Sequence, residues 1–263
     1  MSALPAGGSV AVAATDAASP VGEQPPPEAD PGPVTVRVRW KSSHRIIRTI
    51  YPPIHLFEDI ADPADWELIA RAEARTNPRI HDEIGNLGLV PPDKRVGGPG
   101  STIVMGAFTH ASPLRPSRFS DGSFGVWYCG DRFEVALAET AYHFERFMRA
   151  TEEAAADADF RELTCAAGGN LHDLRKADPL GCLAPDDWTP GQRLGRRLRD
   201  GGADGVVYPS VRTRSGLAAG LFWPNCVTLP VLQARQVRYR WDGTRMTAWF
   251  VHGSNEWIPY GAD

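Results

Sequence analysis

The stretch from Arg118 to His143, RFSDGSFGVWYCGDRFEVALAETAYH, sets Arg118, a run of aromatics and, among alanines, Glu139 close together. A fixed carboxylate such as Glu139, set among alanines, can stabilise a developing positive charge. A guanidinium such as that of Arg118 offers a planar fork to paired oxygens. Each residue also has an ordinary structural explanation. Glu139 can pair at the surface with Arg132 or Arg146. Arg118 lies in the polar, turn-rich RPSRFSDGS, the aromatics of FGVWY suit a core, and Ser210 follows Pro209 as a turn residue would. Taken singly, spacing favours the ordinary reading.

Other chemistries find less support. The seven histidines occur singly, without HExxH and without Cys/His spacing suited to zinc, so no metal is expected. The glycine cluster VGGPGST lacks the lysine of a phosphate-binding P-loop, and PSVRTRSG has no GxSxG frame around Ser210. Cys129, Cys165, Cys182 and Cys226 stand far apart with no CxxC, and Cys129 reads as a buried apolar thiol. A disulfide framework is not expected, and a reducing cytoplasm fits best.

The elements that must position these residues are partly legible. VTVRVRW, from Val34, alternates apolar and polar side chains and predicts a half-buried strand. DPADWELIARAEARTNPRI predicts a helix capped by Asp62, with Pro63 in its first turn and an end near Asn77-Pro78. TIVMGAF, 102–108, has strand character, and GSFGVWYCG predicts a buried strand ending at Gly130. Asp131 then caps a helix from about Arg132 to Ala150, on which Phe133, Leu137, Phe144 and Met148 form an apolar stripe with Glu139 off it. TEEAAADADF reads as an acidic loop or frayed helical extension, and RELTCAA as a strand. TPGQRLGRRLRDGG reads as a short basic helix stopped by Gly201-Gly202. GVVYPS and GLAAGLFWPNCV are further strands. The mixture predicts an α+β domain.

The chain has 263 residues with 42% hydrophobic and 23% charged content, enough for one sizeable core. Residues 1–33 are Ala, Pro, Gly and acidic side chains with little to bury, the composition of a disordered tail preceding a domain at 34–263. A net charge of -4 argues against nucleic-acid binding, and the basic RLGRRLR of 193–199 reads as a solvated face. No stretch has the roughly 20 apolar residues of a membrane span.

SRFSDGSFGVWYCGDRFEVALAETAYH and DGVVYPSVRTRSGLAAGLFWP together resemble the two signature blocks of the RES domain, named for its Arg, Glu and Ser, over about Arg45 to Phe222. The resemblance implies an ADP-ribosyltransferase-like fold, small packed β-sheets with flanking helices, and an enzyme that cleaves the bond between nicotinamide and ribose of NAD. Such toxins of bacterial toxin-antitoxin systems deplete NAD by hydrolysis or phosphorolysis, or transfer ADP-ribose to a target protein. The family's arginine falls on Arg118, its tyrosine on Tyr128, its glutamate on Glu139 and its serine on Ser210. A further site arginine matches Arg45, with Arg48 as the alternative.

In those roles Glu139 supports an oxocarbenium-like ribose, Arg118 and Arg45 hold the pyrophosphate, and Tyr128 stacks on the pyridinium. Ser210 bonds a carboxamide or phosphate oxygen. The chain departs from the commoner GGRWN pattern, with Ser120 where the asparagine would fall near the proposed phosphate site. An Xre-family helix-turn-helix antitoxin is the implied partner, covering the NAD entrance. The competing expectation is a catalytically inactive NAD- or partner-binding protein on the same fold.

Overall fold

The computed structural model describes residues 34–50, 66, 68, 85–178, 180–254 and 256–261. The tail of 1–33, and nearly all of the helix expected after Asp62, lie outside the described residues. Trp66, within that segment, is helical and buried.

Strand β1 (Thr35–Arg48) extends the alternating run expected from Val34 and pairs antiparallel with β3 (Ala156–Asp173) along most of its length. The β3 strand is longer than expected. Its first residues, read in the sequence as acidic loop, alternate in register instead. Ala158 and Phe160 are buried, while Asp157 and Asp159 point the other way to Arg240 and Arg238 of β6 (Val227–Trp241). Cross-strand charge pairs of this kind are favourable neighbours in a sheet, and they offset the low strand propensity of aspartate.

The short strands β2 (Trp127–Gly130), β4 (Gly205–Pro209) and β5 (Leu217–Leu221) complete a mixed arrangement in the order β1-β2-β5-β4-β3. Because β1 also pairs with β3, these five strands make a closed circuit of pairings. From β3 the sheet continues outward through β6, β7 (Met246–Val251) and β8 (Ile258–Pro259). With three flanking helices whose bounds lie among the described residues, the architecture is α+β.

Residues 102–108, expected as a strand, lie instead in helix α1 (Ser101–Thr109). The β-branched residues there suggest extension, but Val104, Met105 and Phe108 share one helical face and all are buried, so tertiary packing overrides propensity. Helix α2 (Phe133–Ala150) stands where expected. Asp131 does not cap it: Arg132 occupies the cap position without a side-chain cap bond, and Asp131 pairs with the Arg132 guanidinium instead. Helix α3 (Thr189–Asp200) ends at Gly201 as expected.

The buried apolar residues fall into two clusters. The larger joins β2, β4 and β5 to α1 and α3 through Phe119, Trp127, Leu194 and Phe222. The smaller lies under α2, where Phe144 meets Phe160, Tyr239 and Trp241 at ring-centroid distances of 5.6, 5.8 and 6.3 Å. No helix among the described residues is long and apolar enough to cross a membrane.

Candidate functional site

Where β1, β2 and β4 meet α2, their side chains enclose a cleft of about 230 Å³. One wall is α2, which presents Glu139, Thr140 and His143. The opposite elements supply Arg45 from β1, Tyr128 from β2, and Arg118 from the loop before β2. Arg212, in the connection from β4 to β5, and Trp188, just before α3, complete it.

Glu139 carries the centre. Its stretch of α2 is alanine-rich, with Ala136 and Ala138 buried, so the helix approaches the strands closely there. The Ser210 hydroxyl donates to Glu139 Oε1 at 3.0 Å, and the same hydroxyl accepts the backbone N–H of Arg212 at 3.2 Å. The surface ion pair considered for Glu139 is not formed, because Arg132 turns to Asp131 and Arg146 lies 4.4 Å from the Trp188 ring centroid. Burial raises the Glu139 pKa above the usual carboxylate range, while the Ser210 bond and the charges of Arg118 and Arg212 oppose that rise. The result is a carboxylate that is costly to ionise in isolation yet has a donor and two cations waiting for its charged form.

Arg118 is buried rather than solvated. Its Nη1 donates to the carbonyls of Cys182 at 3.1 Å and Ala184 at 2.7 Å, so it straps the 182–185 segment against the site. Helix α3 fixes this stretch from behind. Gly191 and Gly195, one turn apart, face the Arg118 and Phe119 carbonyls so closely that an added Cβ would lie 2.4 and 2.0 Å from them. Gln192 Nε2 donates to the Ser117 carbonyl at 3.0 Å.

Tyr128 ties the same loop to the sheet. Its hydroxyl accepts the Phe119 N–H at 2.9 Å and shares a 2.9 Å bond with the Ser117 hydroxyl. Burial pushes the phenol up to about 12, so it stays protonated at neutral pH. Arg45 donates from Nη1 to the Tyr128 carbonyl at 2.9 Å and lies 4.6 Å from the Trp127 ring centroid. Burial lowers its pKa, as it must for any desolvated cation. Of the two arginines considered in β1, Arg45 lines the cleft, and Arg48 lies over Phe147 on α2.

The structure therefore brings Arg45, Arg118, Tyr128 and Glu139 to one cleft, with Ser210 bonded to the glutamate. It does not bring Ser120 there. That side chain is buried, donating to the Phe124 carbonyl at 2.6 Å and accepting the Gly122 N–H at 3.0 Å, which closes its own turn.

Several cleft residues escaped the sequence reading. Tyr208 and Arg212 flank Ser210 in the block DGVVYPSVRTRSG, and their nearness to it was the available signal. His143 stands one helical turn after Glu139. Desolvation, then the charges of Arg212, Arg146 and Arg118, push its imidazole down to about 4, so it is uncharged at neutral pH. His44 precedes Arg45, and its Nδ1 lies 2.6 Å from Oε1 of the buried Glu162. Nothing local in the sequence joins those two, which meet only through the pairing of β1 with β3. Among the described residues no group of three or more His, Cys, Asp or Glu side chains is placed to hold a metal ion.

The half-buried Glu139 carboxylate is thus held by a serine in a cleft walled by arginines and tyrosines of an α+β domain. The comparisons give it a family. Residues 93–242 match the RES domain model, more than half of the chain, and the chain belongs to the RES domain family. The match contains Arg118, Ser120, Tyr128, Glu139 and Ser210 and begins after Arg45. The uncharacterized protein y4oC of Sinorhizobium fredii is 28% identical over 204 residues, covering 78% of this chain and 84% of that protein. Among solved structures, a chain in the M. tuberculosis MbcT-MbcA toxin-antitoxin complex is similar at 12% identity with a TM-score of 0.40, covering 77% of this chain and 85% of that one.

Proposed function

We propose that this RES-family protein is a toxin enzyme that cleaves the nicotinamide-ribose bond of NAD. The observation that carries this reading is the Glu139 carboxylate, half-buried in the cleft and held by Ser210 between two guanidiniums. As the C1′–N bond breaks, its electron pair leaves with nicotinamide and neutralises the pyridinium. Positive charge then builds on the ribose. A fixed carboxylate beside that carbon stabilises the charged state more than the ground state, which is the condition for catalysis. Ser210 keeps the carboxylate aimed, and Tyr128, protonated and fixed to the loop before it, offers its face to the departing ring. An acceptor oxygen then bonds to C1′ and gives up its proton.

Water, phosphate or a protein side chain can fill the acceptor role, so the product distinguishes hydrolysis, phosphorolysis and ADP-ribosylation. NAD incubated with the full chain in phosphate buffer, followed by mass analysis, is expected to yield nicotinamide with ADP-ribose, its 1-phosphate or a modified protein. Intact NAD under all these conditions, with candidate protein acceptors present, would refute the proposal. In this reading 34–263 is one catalytic unit, the enzyme works in the cytoplasm without a metal, and its partner is an Xre-type antitoxin that covers the cleft.

A further inference from the structure

Two arginines reach the cleft from neighbouring loops, and their hydrogen bonds differ. The Arg118 guanidinium is committed to its own chain, with Nη1 on the carbonyls of Cys182 and Ala184 and Nη2 3.5 Å from that of Pro185. A ligand oxygen could take those donors only by leaving carbonyls unpaired, at a penalty of about 1–3 kcal/mol for each buried group. Arg212 is differently placed. Its guanidinium lies 3.4 Å from the Tyr142 ring centroid, its side chain is only 13% exposed, and its one hydrogen bond to a carbonyl runs from Nη2 to Pro185. Its Nε has no hydrogen-bond partner among the described residues, a state it shares with Arg45 of β1.

Among the described residues two carboxylates act on Arg212, and neither completes it: Glu139 does so only through its charge. Asp186 approaches Nη2 only to 3.9 Å, is 79% exposed, and accepts the Tyr142 hydroxyl at 2.7 Å. Tyr142 and Asp186 therefore fix the plane of the guanidinium without neutralising it. A largely buried cation with an unmade N–H bond, at the wall of a cleft, thus has no hydrogen bond to an anion among the described residues.

We infer that Arg212 is a phosphate-reading residue of the cleft: its guanidinium takes pyrophosphate oxygens of the dinucleotide, and Arg118 is a positioning residue that straps 182–185. This rests on the NAD-cleaving reading and moves the anion-binding role expected of Arg118 to a residue two positions beyond Ser210. It makes Arg212 the determinant that separates a phosphate-bearing substrate from a bare nucleoside with the same scissile bond.

The test compares the full chain with its Arg212→Ala and Arg212→Lys variants on NAD and on nicotinamide riboside. The ratio of kcat/KM for NAD to that for the riboside should fall at least tenfold in the alanine variant and less in the lysine variant, which keeps the charge without the fork. Calorimetric affinity for ADP-ribose should weaken with it. A purely structural role would depress both substrates together, and an unchanged ratio overturns the inference. If the unaltered protein cleaves neither substrate, the enzymatic reading fails by itself and binding of inorganic pyrophosphate decides the inference. A tenfold weaker Kd in Arg212→Ala, with its far-ultraviolet circular dichroism intact, upholds it; equal Kd values, or no binding by the unaltered chain, overturn it.

Discussion

Helix α2 has two packed faces, one buried and one half-buried, that solve opposite problems. On one, Phe133, Leu137, Phe144 and Met148 press into an aromatic cluster with Phe160, Tyr239 and Trp241, where burial is favourable in itself. On the other, Glu139 is half-buried against its own preference and depends on the Ser210 hydroxyl and two cations. The first face holds the helix in place, and the second uses that placement. A helix can carry a poorly solvated carboxylate only when something else fastens it.

This contrast can be broken at either face. The largest expected effect is on folding. Phe144→Ala removes the ring at the middle of the aromatic cluster and should lower unfolding stability by about 3–5 kcal/mol, seen as a lower denaturation midpoint in urea. A loss below about 1 kcal/mol would mean that the cluster is not what anchors α2.

Glu139→Gln should do the reverse, abolishing function while sparing the fold. NAD cleavage is expected to fall by about 10²–10³-fold, the range for removing a fixed group that stabilises transition-state charge. The sign of its effect on stability follows from its raised pKa. The protonated side chain is favoured in the folded state, so its stabilising contribution is complete below the unfolded pKa and is lost as pH rises through the folded value. The glutamine variant should therefore equal the parent at acid pH and match or exceed it at neutral pH in thermal melts. A variant markedly less stable at neutral pH would contradict the account of α2.

A smaller change sharpens the same contrast. Ser210→Ala removes a bond that opposes the rise in the Glu139 pKa. The acid limb of the pH-activity profile, which rises as Glu139 ionises, should move to higher pH, with a loss of about 1 kcal/mol in stability. An unmoved limb would separate Ser210 from the glutamate. The smallest effect is expected away from both faces. Arg196→Ala breaks an exposed pair with Asp121 and should leave melting temperature and turnover within experimental error.

The sequence was most informative where one element carries its own pattern. The apolar stripe of α2, the end of β2 at Gly130 and the alternation opening β1 are local, and the structure has all three. The first residues of β3 and the helix at 101–109 were misread because partners distant in the chain decide them: the arginines of β6 for one, a shared buried face for the other. The site divides similarly. Glu139 and Arg118, ordinary when taken singly, are marked by the resemblance of their block to the RES domain. The bonds of Arg118 to carbonyls of 182–185, the unpartnered Nε of Arg212 and the meeting of His44 with Glu162 arise only when separate segments are brought together.

The paired glycines of α3 give the site an unusual mechanical basis. The helix touches the loop of Arg118 backbone to backbone, with no side chain between them to yield. Placing a methyl group at position 191 or 195 would force the two main chains apart, swing the guanidinium off its carbonyls and loosen the loop that Tyr128 holds. The geometry around the glutamate is thus calibrated by two absent atoms on a helix that contributes no side chain to the walls of the cleft.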